Sequence, residues 1–177
     1  TGMKFKDYVK KHLFSKIGLM HSSFDEGNYK ENQLAKPYLT EDKIAAPSLG
    51  FINYPDGGMY SNLEELALYL IEMMKGYYGK SKLLRPESFK MMMSPLLKPE
   101  IADTNPQKTF NNIGVFWQLD DDGSIKHYGG NPHGGTVYFS FNPSRNIGKI
   151  LMTNYDVRAS KKAIIEFISI WRTLDRY

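Results

Sequence analysis

Between residues 113 and 153 the hydrophobic period changes from helical to alternating, and this block limits the fold more than any other part of the chain. Extended segments are predicted at 113–119, 124–129, 136–141 and 147–153, and Asp120-Asp121-Asp122-Gly123 forms the first turn between them. Connections this short join antiparallel neighbours, because a parallel crossover needs a dozen residues or more. A helix at about 158–174 then presents Ile164, Phe167, Ile168 and Trp171 on one face, ready to cover the sheet. The fold class that follows is α+β, an antiparallel sheet of about four strands with a C-terminal helix on it and further helices before it.

Those earlier helices are legible from their apolar spacing. Residues 4–17 place Phe5, Val9, Leu13 and Ile17 on one stripe with Tyr8 and Phe14 beside it, and Gly18 sits where a left-handed cap falls. Leu19 and Met20 can then fold back onto that helix. Ser61 with Glu64 spells a capping box that opens a helix with Leu63, Leu66, Ala67, Leu70, Ile71 and Met74 inward and Gly76 at its end. Pro86 starts a shorter helix through Phe89 and Met92, stopped by Pro95. Residues 21–57 show no period and are expected to wrap over a surface, anchored by Leu49, Phe51, Ile52 and Tyr54. No composition shift marks a boundary, so residues 1–177 are expected to form a single domain. A helical pattern beginning almost at once after Thr1 is expected of a segment taken from a longer polypeptide.

Composition narrows the function classes. The sequence has no Cys, which removes disulfides, thiolate nucleophiles and Cys-based zinc sites. Its net charge of +4 is spread along the chain, so no basic face points to nucleic acid. The apolar run at 66–74 is interrupted by Glu72 and is too short to span a bilayer. Twelve Tyr, ten Phe and two Trp suit an aromatic core better than a partner surface.

The segment richest in chemistry is His127-Tyr128-Gly129-Gly130-Asn131-Pro132-His133-Gly134-Gly135. On a strand, His127 and Gly129 share one face and Tyr128 takes the other. Glycine at 129 leaves room for a ligand laid against the strand edge. His127 and His133 lack an acidic partner within the segment, and no metal site or cofactor is expected.

This segment resembles the Lys-Thr-Gly or His-x-Gly element of the serine beta-lactamase and penicillin-binding-protein family, in the branch of class C beta-lactamases, D-alanyl-D-alanine carboxypeptidases and related esterases. Three further stretches are similar to that family in the same order: residues 14–24, with a helix ending at Gly18-Leu19-Met20; Gly57-Gly58-Met59-Tyr60-Ser61-Asn62; and Gly114-Val115-Phe116-Trp117, which resembles its Tyr-Gly-Leu-Gly-Trp. Asn142-Pro143 and Thr153-Asn154 lie at about the family's downstream distances. The resemblance implies the C-terminal portion of a beta-lactamase/transpeptidase-like fold, acting on beta-lactams, peptidoglycan peptides or small esters through an acyl-enzyme. It implies that His127 stabilises an anionic group or the reacting oxygen and that the Gly130 N–H forms half of an oxyanion hole. It places Tyr128, Gly129, Asn131 and His133 at the substrate, and it favours a periplasmic or extracellular location.

The family's nucleophile lies in a Ser-x-x-Lys turn, and no serine of this chain has Lys three residues later. Tyr60-Ser61-Asn62 spells the family's Tyr-x-Asn, but its serine is accounted for by the capping box. Two readings follow: a hydrolase portion that is inactive alone, or a non-catalytic binding or structural module using the same groove. On the first, the partners are a small-molecule or peptide substrate, an N-terminal portion and, through uncovered apolar surface, a second copy of the chain.

Overall fold

The computed structural model describes residues 1–39, 53–98, 112–130 and 134–176. The alternating block forms a five-stranded antiparallel sheet in the order β1-β2-β3-β4-β5: Asn112–Ile113, Gln118–Leu119, Ile125–Gly130, Thr136–Asn142 and Ile147–Thr153. The expected single strand at 113–119 is two short strands, because the chain reverses between them. Gly114 donates to the Trp117 carbonyl at 2.7 Å and Phe116 takes a left-handed φ of 64°. The later turns follow their residues. Gly123 adopts φ 79° after the Asp run, and Asn146 adopts φ 52° between β4 and β5, a conformation Asn tolerates better than most residues.

Register assigns the two faces of the sheet. Ile125, His127 and Gly129 oppose Phe141, Phe139 and Val137, which in turn oppose Gly148, Ile150 and Met152. That row is the inner face. Phe141, Phe139, Ile125 and Trp117 pack there against Leu66, Leu70 and Met73 of the main helix, forming the core with Phe89. The outer face carries Lys126, Tyr128 and Gly130 opposite Ser140, Tyr138 and Thr136.

The N-terminal helix is interrupted. It runs as α1 (Phe5–Val9), a π-helical segment Lys10–Phe14 and α2 (Ser15–Ile17). The wider turn shifts the phase, so the expected stripe does not become one buried line. Only Phe14 is buried within it, while Phe5 is 43% exposed. Gly18 caps α2 with φ 81°, and the Leu19 N–H donates to the Phe14 carbonyl at 3.0 Å, a Schellman closure. Leu19 is buried by folding back, whereas Met20 is exposed.

After the short helix α3 (Tyr54–Gly57), the main helix α4 spans Leu63–Tyr77. Its N-cap is Asn62 rather than Ser61: the Asn62 side-chain oxygen accepts the Glu65 N–H at 2.8 Å. The buried side is Glu65, Leu66, Leu70, Met73 and Gly76, leaving Leu63 and Ile71 exposed. Gly76 does not end the helix. The cap is Gly79 at φ 68°, with Gly79 N–H to the Gly76 carbonyl at 3.0 Å and Lys80 N–H to the Lys75 carbonyl at 2.7 Å. Helix α5 (Pro86–Met92) starts at its proline as expected and buries Phe89.

The last helix, α6 (Lys161–Thr173), is capped by the Ser160 side chain and lies on the outer face. Phe167 and Trp171 meet the Tyr138 ring at 6.2 and 4.7 Å, and Lys149 sits 4.4 Å over Trp171. The helix covers little. None of its residues is buried, and Ile165 and Ile170 are more than half exposed. Of the anchors expected in the long 21–57 segment, Tyr54 packs against Phe5 and Phe24, while Leu49, Phe51 and Ile52 lie outside the described residues.

Candidate active site

Strand β3 is covered unevenly. On one side it pairs with β4 along its whole length, from Ile125 to Gly130; on the other, β2 reaches only Ile125 and Lys126. Residues 127–130 therefore present an edge with no strand partner among the described residues. A side chain added at Gly129 would meet nothing within 4 Å, so this edge is open where a ligand would lie.

The open edge forms one wall of a groove of about 1500 Å³. Gly129, Gly130, Gly134, Gly135, Val137 and Met152 line the sheet side, and Ser22, Ser23, Phe24, Tyr60, Ser61 and Asn62 line the facing side. The volume exceeds the ~300–1000 Å³ of a small-ligand pocket.

His127 stands on the inner face two residues before the groove-lining Gly129 and is not itself among the residues that line the groove. Its ring packs edgewise to Trp117 at 6.3 Å and against Phe139 at 5.5 Å, and its Nδ1 lies 2.7 Å from the Phe116 carbonyl oxygen. A carbonyl can only accept, so Nδ1 carries the proton and Nε2 is the ring atom left for a ligand. The residue is half-buried rather than sealed in the core.

Gly129 and Gly130 line the groove. Tyr128, on the outer face, stacks on Tyr138 with centroids 5.8 Å apart and is not among the residues that line the groove. Asn131 and His133 lie outside the described residues. The Gly134-Gly135 pair serves the fold as well as the groove. Gly134 at φ 100° packs so tightly on Pro37 and Tyr38 that a Cβ would come within 2.6 Å of the Tyr38 nitrogen.

Gly130 is backed from the outer face. The Arg158 guanidinium would lie 3.3 Å from a Cβ at Gly130, and it is held by the buried Asp156 carboxylate through Nε–Oδ1 at 2.8 Å and Nη2–Oδ2 at 3.1 Å. That bidentate pairing, with burial opposing it, lowers the Asp156 carboxyl below the usual range.

The facing wall holds a cluster that motif reading passes over. Glu65 is 5% exposed, accepting the Ser22 hydroxyl at 2.6 Å, the His21 N–H at 2.7 Å and His21 Nδ1 at 3.0 Å. Burial acts to raise its carboxyl, but these donors prevail and hold it below the ordinary range. Ser22 and Ser61 hydroxyls are 2.8 Å apart, and Tyr60 donates to Glu26 at 3.0 Å. Each member of the Tyr60-Ser61-Asn62 triplet is thus engaged in building the wall. Only the acidic residue three places after Asn62 signals this cluster in the sequence. Among the described residues no three His, Asp or Glu side chains converge as metal ligands, and no helix is long and apolar enough to cross a membrane.

The family model described as Beta-lactamase matches residues 1–168. The chain belongs to the Beta-lactamase family. A curated relative, Protein flp of Staphylococcus aureus (strain MW2), is 19% identical over 157 residues, covering 87% of the chain and 30% of that protein. Among solved structures, the octameric penicillin-binding protein homologue from Pyrococcus abyssi aligns with a TM-score of 0.69 at 22% identity, over 87% of the chain and 34% of that protein. A class C beta-lactamase from Rhodobacter sphaeroides aligns at 0.62 with 14% identity, over 94% and 55%. A D-alanine carboxypeptidase from Burkholderia cenocepacia aligns at 0.61 with 15% identity, over 93% and 55%. The Beta-lactamase-family chain has the serine hydrolase fold of these proteins and spans about a third to just over half of their length.

Proposed function

We propose that this Beta-lactamase-family chain supplies the His-x-Gly strand and half of the oxyanion hole to a serine hydrolase acting on beta-lactams, peptidoglycan peptides or small esters, and that it does not hydrolyse them alone. The observation that carries this reading is the open 127–130 edge of β3, where two glycines face the groove beside His127. Gly129 admits the substrate, and the Gly130 N–H stabilises the developing oxyanion. A donor preorganised in this way contributes on the order of 3 kcal/mol to the transition state. With Nδ1–H committed to the Phe116 carbonyl, His127 holds an anionic group of the substrate or the reacting oxygen as the imidazolium, through its Nε2–H. The second oxyanion donor and the nucleophile come from a Ser-x-x-Lys segment, which these 177 residues do not contain.

On this reading residues 1–177 act as one domain, and the groove and the exposed isoleucines of α6 are covered by an N-terminal portion or a second copy. The octameric assembly named for the Pyrococcus abyssi homologue supports the second arrangement. A non-catalytic binding module using the same groove is the alternative, favoured by the lack of any Ser-x-x-Lys in the chain. Either reading requires a ligand on the strand edge. Titration of ¹⁵N-labelled chain with benzylpenicillin is expected to shift the amides of 127–130 and 134–137; unmoved resonances there would refute the groove.

A further inference from the structure

Gly130 ends β3 and directly follows Gly129. Two glycines in succession give the chain its greatest conformational freedom at the point where an oxyanion donor has to be fixed. Within the sheet only β4 holds that point, because the pairing of β2 stops at Lys126. A further restraint comes from the outer face. Alternation turns the side-chain position of Gly130 outward, and the missing Cβ lets the Arg158 guanidinium approach the backbone. Its Cζ, Nη2 and Nε would stand 3.3, 3.4 and 3.6 Å from a Cβ there, distances even enough that the plane of the group faces the strand.

The guanidinium is itself held. Asp156, 8% exposed, takes its fork through both carboxylate oxygens and also accepts the Arg158 backbone N–H at 3.1 Å. The turn that carries both residues is tied to the residue opposite Gly130. Thr136, buried and in register with Gly130, donates its hydroxyl to the Tyr155 carbonyl at 3.0 Å and accepts the Val157 N–H at 3.2 Å. Arg158 does not line the groove, and its charge is countered by Asp156 at contact distance. What it supplies to the groove is therefore shape and stiffness rather than field. We propose that Arg158 is a positioning residue of the groove, its Asp156-held guanidinium fixing the Gly130 peptide from behind so that the Gly130 N–H is preorganised toward the ligand. The proposal rests on the groove reading above and names what keeps its oxyanion donor in place. It requires a planar fork, and lysine, which can keep the charge beside Asp156, has no plane to lay across a backbone.

Backbone ¹⁵N relaxation of the whole chain reads Gly130 directly, with the amide of Phe141, buried in β4, as the internal control. In the parent both amides are expected at an order parameter of about 0.85. Arg158→Ala should bring Gly130 below about 0.6, leave Phe141 where it was, and weaken benzylpenicillin binding roughly fivefold, the contribution of one hydrogen bond. Arg158→Lys should recover most of the melting temperature that alanine loses, by restoring a cation beside Asp156, but neither the Gly130 order nor the affinity. A Gly130 amide unmoved in both variants overturns the proposal and leaves the groove reading standing. A lysine variant that recovers order, affinity and melting temperature together makes Arg158 an ion-pair residue of the fold and also overturns it. Failure of benzylpenicillin to shift 127–130 in the parent removes the groove reading and this inference with it.

Discussion

His127 and Phe116 are joined by a hydrogen bond of 2.7 Å from the imidazole Nδ1 to the backbone carbonyl, which fixes the histidine tautomer from outside the groove. Long-range ¹H–¹⁵N spectra of the neutral ring should show Nδ1 protonated and Nε2 bare. A neutral ring protonated at Nε2 instead would contradict the Nδ1–H hydrogen bond to the Phe116 carbonyl.

Gly129 separates folding from ligand access. A methyl group there meets nothing within 4 Å and the backbone is not left-handed, so Gly129→Ala should leave stability unchanged or raise it by ~0.4–1 kcal/mol. The same methyl stands on the groove wall and should weaken benzylpenicillin binding at least fivefold by steric conflict, an order-of-magnitude expectation. Urea denaturation and ligand titration of one variant test both halves.

Gly76 is needed for a different reason. A Cβ at 76 would come within 2.2 Å of the Phe89 ring, and Phe89 is 1% exposed at the centre of the core. Although alanine is the better helix former, Gly76→Ala should destabilise by about 1–3 kcal/mol through overpacking. Phe89→Ala should cost about 3–5 kcal/mol. Chemical denaturation decides, and a stabilised Gly76→Ala would contradict the packing described.

Glu65 gives the stability an acid limb. Its carboxyl is held below the ordinary range in the folded chain, so below about pH 4.3 the unfolded chain takes up its proton first. The stabilisation is present at neutral pH and is lost as pH falls through the folded value. Glu65→Gln should cost about 1–3 kcal/mol at pH 7 and flatten the decline between about pH 5 and pH 3. Parallel denaturation profiles for the two proteins would rule this out.

Local signals carried much of this architecture into the sequence. Alternation at 125–130, 136–142 and 147–153 specifies both the strands and the face each side chain takes, and Gly18 and Pro86 mark their helix ends correctly. What escaped depends on contacts between distant residues. Gly76 reads as a helix stop until Phe89 is seen against it. Ser61 reads as a cap until Ser22 is found 2.8 Å from its hydroxyl. The reversal at Phe116 hides because no glycine announces the left-handed turn. For the candidate site, alternation correctly pairs His127 with Gly129. The same alternation sends Tyr128 to the outer face, where it stacks on Tyr138.

We propose that this chain holds the oxyanion side of a serine hydrolase site without its nucleophile. The most direct measurement is the initial rate at which the purified chain hydrolyses a chromogenic beta-lactam and a p-nitrophenyl ester, with and without a serine-directed inhibitor. No inhibitor-sensitive turnover of either substrate is expected. Steady turnover abolished by the inhibitor would contradict it, since a working nucleophile would then lie within residues 1–177.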